Sequence, residues 1–212
     1  MKEKKQKKEK KLKILVASDI HGDKDAVEKL AEKAKKENVD LVVICGDITY
    51  FGTGLEGMIG PFRKINKKVL LVPGNHEDIA TTDFLVQMYK PGVYNLHGYS
   101  IKFKDIGFFG IGFDPSLTLE SKHLEEIISK SYEKIKDSKH KVLITHFAPE
   151  TRKFKALGEI PWEENKIITR IVKKFKPDLV LCGHMHEFEG LEDKLGKTKI
   201  KNVGKHGEII EI

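Results

Sequence analysis

The chain has 212 residues, 33% of them charged, and a formal net charge of +7. This length favours one domain with a sizeable core, and no apolar run approaches the ~18 residues that a membrane helix needs, which excludes a membrane-spanning reading. Eight lysines and two glutamates in residues 1–13 carry +6 of the charge, so any strong attraction to phosphate backbones is confined to the tail.

In chain order, residues 1–11 read as a flexible, solvated basic tail through which nucleic acid is a possible partner, and 12–212 as one domain. "LKILVAS" (12–18) reads as a first strand. Its apolar stretch runs straight into "SDIHGD", unlike a signal peptide with a cleavage site. A helix over 23–38 follows, with Ala26, Val27, Leu30, Ala31 and Ala34 on one face and Asp23 as its cap. Strands are expected at 40–45 and 68–73, with a short helix within 54–66 between them. Residues 79–90 read as helix, and three strands are expected within 93–112. Leu124, Ile127, Ile128 and Ile135 mark a helix across 120–137, and "KVLITHF" (141–147) reads as a fourth apolar strand.

The segment 147–166 has no clear periodicity and reads as a long loop carrying Arg152, Lys153 and Lys155. Ile167, Ile168, Ile171, Val172 and Phe175 form the stripe of the next helix, and "PDLVLCGH" gives the fifth apolar strand. "EFEGLE", "TKIKNV" and "EIIEI" read as antiparallel strands joined at glycine turns. This alternation is that of an α/β protein. Cys45 and Cys182 both end apolar runs, as buried reduced thiols would, and a cytoplasmic location is expected. Abundant Lys and Glu with only two Gln is a pattern of heat-adapted proteins.

Each of the five apolar strands ends in polar residues of one chemical kind. The sets are Asp19-Ile20-His21-Gly22-Asp23, Gly46-Asp47, Gly74-Asn75-His76-Glu77, His146, and Gly183-His184-Met185-His186. Ligands bind beyond the carboxyl ends of strands in open α/β sheets, so these sets are expected to converge on one edge. Singly, each has an ordinary explanation: a helix cap, an Asx-turn or a satisfied core histidine. Jointly they supply two aspartates, four histidines and an asparagine, plus one further histidine. Nitrogen and oxygen donors without a thiolate suit two borderline divalent cations better than a structural zinc or Mg²⁺ alone. Packing alone does not account for so many polar groups at five strand ends, each of which must find a partner.

The ordered motifs D-x-H, GD, GNHE, H and GHxH resemble those of the calcineurin-like metallophosphoesterase superfamily, from about Leu12 to the C-terminus. The resemblance implies a four-layer α/β/β/α sandwich of two packed mixed sheets, with the later strands in the second sheet and two divalent metal ions (Mn, Fe, Ni, Co or Zn) at the edge. It further implies that Asp19, His21 and His186 hold one ion and Asn75, His146 and His184 the other. Asp47 would bridge them, since a carboxylate can face two cations. On this reading His184 and His186 lie on one side of an extended segment, with Met185 packed away. His76 would be the catalytic histidine that protonates the leaving oxygen as a metal-bridging hydroxide attacks phosphorus. Glu77 would orient His76 or sit at the surface.

"GDITYFGTG" lacks the arginine that follows the GD motif in protein phosphatases of the superfamily, and the chain has no room for a nuclease capping domain. A small phosphodiesterase acting on a cyclic nucleotide or another small phosphoester is therefore expected. The alternatives are a nuclease or nucleic-acid-tethered phosphoesterase and a non-catalytic binding scaffold of the same fold. Tyr50, Phe51, Phe113, Phe147 and Trp162 are candidates to line a substrate cleft, whereas His97, His123, His140 and His206 read as structural or solvated.

Overall fold

The computed structural model describes residues 11–113, 121–157 and 162–212. The expected basic tail falls outside these but for Lys11, and the centre of the expected 147–166 loop also lies outside them. The strands expected first are β1 (Lys13–Ala17), β2 (Leu41–Cys45) and β3 (Lys68–Val72), which pair in parallel. Between them run α1 (Lys24–Lys36) and the short α2 (Gly60–Lys64). After α3 (Ile79–Met88) come β4 (Val93–Asn95), β5 (Ser100–Phe103) and β6 (Ile106–Ile111). The rest comprises α4 (Ser121–Glu133), β7 (His140–Thr145), α5 (Arg152–Ala156), α6 (Glu163–Phe175), β8 (Leu179–Cys182), β9 (Glu192–Leu195), β10 (Thr198–Asn202) and β11 (Glu208–Glu211). Asp23 caps α1 as expected, its carboxylate accepting from the Ala26 amide at 3.0 Å.

Two mixed sheets result, with orders β11-β1-β2-β3-β4 and β5-β6-β7-β8-β10-β9. Why the inner strands read as unbroken apolar runs follows from the side-chain period of two. In β1, Leu15 and Ala17 pack on the helices of their own sheet, while Ile14 and Val16 face the other sheet. In β6, Phe109 and Ile111 turn to the outer helices and Ile106 and Phe108 turn inward. The inward sets, with Leu70, Val142, Ile144 and Leu181, form the core between the sheets. Helices α1 to α3 cover the first sheet and α4 and α6 the second, giving the expected four layers.

Four expectations are corrected. "EIIEI" is not part of a C-terminal antiparallel group: β11 returns to the first sheet and pairs antiparallel with β1. β4 also joins the first sheet, whereas β9 and β10 pair antiparallel across the Gly196 turn as expected, with β10 also parallel to β8. Alternation identifies a strand but not its partner, which here is set by the turn over Gly204 that carries the chain between sheets. "EFE" is not strand, because His186–Phe188 forms a 3₁₀ turn. The expected loop 147–166 contains α5, capped by Thr151. Among the described residues, no helix is long and apolar enough to cross a membrane.

Phe108 lies fully buried between the sheets. Phe108→Ala should lower the free energy of unfolding by about 3–5 kcal/mol, because both sheets are held apart by their other side chains and cannot close the void. The exposed Phe84→Ala should change it by under about 0.5 kcal/mol. Urea denaturation of both variants measures the contrast.

Candidate metal centre

All five polar sets lie at the carboxyl ends of β1, β2, β3, β7 and β8. The loops are tied edge to edge. Asp19 N–H donates to the Gly46 carbonyl at 3.1 Å, His21 N–H to Asp47 at 2.9 Å, and Gly183 N–H to His146 at 2.9 Å. The convergence expected from the sequence is therefore present, and it spans both sheets.

The backbone that delivers these side chains is unusual. Asp19, His21, Asp47 and His184 have φ of 56°, 51°, 53° and 71°, the left-handed region that non-glycine residues enter at a cost. This corrects the picture of His184 and His186 on an extended segment. The chain instead reverses at His184 and coils from His186, while Met185 packs on the second sheet's core as expected. Two glycines are needed for close approach. A Cβ on Gly74 would stand 2.1 Å from Asp47 Oδ1, and one on Gly183 would stand 1.7 Å from Ser18 Oγ.

Asp47 is the hub. Its Oδ2 lies 3.3 Å from His146 Nε2, 3.7 Å from His21 Nε2 and 3.9 Å from His76 Nε2, and its Oδ1 accepts from the His76 amide at 2.9 Å. Around it, His21 Nε2 and His186 Nε2 face each other at 3.2 Å, and His186 Nε2 is 3.5 Å from Asp19 Oδ1. On the other side, Asn75 Oδ1 is 2.9 Å from His146 Nε2. His146 Nδ1 lies 2.8 Å from the Cys45 carbonyl, which can only accept, so Nδ1 carries hydrogen and Nε2 is turned to the centre. Asp19, Asp47 and His146 are buried, while His186 is mostly open to solvent.

The electrostatics follow. Burial disfavours charge on both Asp47 and His146, yet each overcomes it through the other: the carboxyl is held well below the usual range and the imidazole above it. Burial first, then the charge on His146, pushes His184 down to about 4. Burial also lowers His21, partly offset by Asp47. Among the described residues, three groups bring one ligand atom each within 4.8 Å of one another: Asp19-His21-His186, Asp47-His146-His184 and His21-Asp47-His76. Facing imidazole nitrogens beside carboxylates are a donor set that fits borderline divalent cations. Among the described residues, the Nδ1 atoms of His21 and His76 are buried with no hydrogen-bond partner.

One supporting residue, Glu77, departs from its expected place, and two more, Ser18 and Asn202, carry no sequence assignment. Glu77 is not at the surface, and its carboxylate is turned to main-chain amides and the Thr49 hydroxyl. It is 2% exposed and accepts from the amides of Ile48, Thr49 and Gly74 at 3.0–3.3 Å, and from the Thr49 hydroxyl. It thereby joins the loops that carry Asp47 and Asn75. Burial first, then Asp47, raises its pKa, and those donors work against the rise. Ser18 Oγ lies 2.6 Å from Asp19 Oδ2, and the Asn202 amide donates to the carbonyls of Gly183 and Met185 at 3.1 Å. The hydroxyl of Ser18 beside the first motif was the available signal, whereas Asn202 lies far from every motif and offered none. The outlying histidines serve elsewhere: His97 is buried against Gly112, His206 pairs with Glu189, His123 is exposed and His140 opens β7. Cys45 and Cys182 are both buried.

The profile of the calcineurin-like phosphoesterases matches residues 12–188. The chain belongs to that family. An uncharacterised protein of Methanocaldococcus jannaschii is 30% identical to this phosphoesterase family member over 204 residues, covering 90% of this chain and 87% of that one. The crystal structure of TT1561 of Thermus thermophilus superposes with a TM-score of 0.73 at 15% identity, over 95% of this chain and 99% of that one. An archaeal phosphodiesterase gives a TM-score of 0.54 at 17% identity, covering 94% and 99%. A dimetal phosphatase of Danio rerio gives 0.58 at 10% identity, covering 92% and 88%. These likenesses show a shared metallophosphoesterase fold.

Two measurements probe the centre directly. Glu77→Gln turns one acceptor into a donor facing amide N–H groups, and should cost about 1–3 kcal/mol of stability in urea denaturation. For His184 the folded pKa lies below the unfolded one, so the group favours folding above pH 6.5 and loses that contribution as pH falls toward 4. In chelator-treated protein, His184→Gln should therefore flatten the decline of stability across that window, as followed by denaturation at stepped pH.

Proposed function

We propose that this phosphoesterase family member is a binuclear metal-dependent phosphodiesterase acting on a small phosphoester. The observation that carries the reading is the placement of one carboxylate oxygen, Asp47 Oδ2, within 3.3–3.9 Å of imidazole nitrogens from both sheets. Asp19, His21 and His186 would hold one divalent cation and Asn75, His146 and His184 the other, with Asp47 shared. Two bound cations would supply Lewis-acid polarisation of the phosphoryl oxygens and an acidified water.

The chain's own groups do the rest. Cys45 O, through His146 Nδ1, holds that ring in the tautomer whose Nε2 is free to ligate. Ser18 and the His184 amide, the latter at 3.1 Å from Oδ2, fix the Asp19 carboxylate. His76 stands at the mouth, its main chain pinned to Asp47 and its ring between His21 and Phe51. From there Nε2 would give its proton to the leaving oxygen as the P–O bond breaks. The absence of an arginine after Gly46-Asp47 supports a small diester over a phosphoprotein. The family's archaeal phosphodiesterase neighbour supports the same choice.

Activity and metal content should separate the roles. Asp47→Asn should lower both the metal content and hydrolysis of bis(4-nitrophenyl) phosphate more than loss of a ligand to one ion. His76→Ala should keep about two ions per chain while turnover falls by about 10²–10⁴-fold, and the loss should be greatest on alkyl esters, whose leaving groups need a proton. An ion lost from His76→Ala would instead make it a ligand, as the His21-Asp47-His76 grouping permits geometrically. Removal of residues 1–11 should abolish salt-dependent binding to nucleic acid and leave hydrolysis of small diesters intact. Parallel filter-binding and turnover assays test the tethered alternative.

A further inference from the structure

Beside His76 the surface carries a feature that metal binding does not require. Tyr50 and Phe51 are 55% and 65% exposed, an unusual placement for two adjacent large rings. They sit on a tight turn closed by reciprocal bonds between Tyr50 and Thr53, at 3.2 and 3.0 Å. The turn is latched to the catalytic loop, since the Gly52 amide donates to the His76 carbonyl at 3.1 Å. Phe51 holds its position with φ of 49°, a conformation that a bulky residue rarely takes. The strained backbone lays the Phe51 ring against the face of His76, with centroids 4.1 Å apart and planes 36° apart. Tyr50 meets Phe51 edge-on at 5.0 Å. Most of Phe51 is open to solvent despite these contacts, and of the other expected cleft aromatics besides Tyr50 only Trp162, beside His184, shares such exposure. Phe147 is core and Phe113 packs on it.

We propose that Phe51, backed by Tyr50, is a stacking platform for a nucleobase, so that the preferred substrate is a nucleotide diester whose nucleoside departs over His76. This rests on the phosphodiesterase reading above. The platform begins one ring beyond His76, the proposed proton donor. A ring bonded directly to the leaving oxygen would compete with His76 itself, whereas a base set off by a ribose reaches past it. The turn from Ile48 to Leu55 carries no charged side chain, so affinity there must come from stacking rather than ion pairing.

The test compares adenosine 5′-(methyl phosphate) with tetrahydrofurfuryl methyl phosphate, which lacks the base, in the metal-loaded full chain. Wild type should favour the adenosine diester about tenfold or more in kcat/KM, mainly through KM. Phe51→Leu should collapse that ratio, and Phe51→Trp should preserve it. Equal treatment of both substrates by wild type, or an equal loss on both in Phe51→Leu, overturns the platform and leaves Phe51 as a prop for His76. A binding arm needs no turnover: emission of 2-aminopurine riboside 5′-(methyl phosphate) should be quenched by wild type and Phe51→Trp but not by Phe51→Leu. Quenching without hydrolysis of any diester would sink only the phosphodiesterase reading. Hydrolysis without Phe51-dependent quenching or selectivity would sink only the platform.

Discussion

A carboxylate buried as deeply as Asp47 is untenable unless its charge is answered on every side, and the architecture of this protein is arranged around that demand. His146 answers from the second sheet, the His76 amide from the third strand's loop and His21 from the first. Each comes from a different strand, so the carboxylate is stable only when both sheets are in register at this edge. The inter-sheet core around Phe108, Ile144 and Leu181 sets that register. In this sense the apolar centre and the polar rim are one construction.

A second buried carboxylate stands close by, and the two are treated differently. Asp47 faces imidazoles and is held ionised, whereas Glu77 faces main-chain amides and is raised by burial and by its neighbour's charge. Amide donors satisfy Glu77 without offering it a cation. That division turns Asp47 toward the imidazoles of the rim and makes Glu77 a strut between the loops beneath it.

Much of this was legible in the sequence because both faces of each inner strand are buried. Runs such as "LVVIC" must be apolar throughout, so the first polar residue after each run marks the strand's end and the rim of the sheets. His184 and His186 stood out for that reason. What stayed hidden depends on distance in the sequence. Nothing in "EIIEI" says that it pairs with β1, and nothing in Asn202 says that its amide braces Gly183 and Met185. Glu77 was equally opaque, since a glutamate after a motif is most often solvated. Its role appears only when the loops of Thr49 and Gly74 are seen to meet over it.

The left-handed backbone at Asp19, His21, Asp47 and His184 has a consequence for how such a rim can change. At each of these positions the residue the backbone would accept most easily is glycine, and the residue the centre needs is not. Drift toward relaxed geometry would make the fold more robust while dismantling the rim one donor at a time. The four strained residues therefore mark where durability and chemistry pull the sequence in opposite directions, and where a sturdier but inert descendant of this fold would first differ.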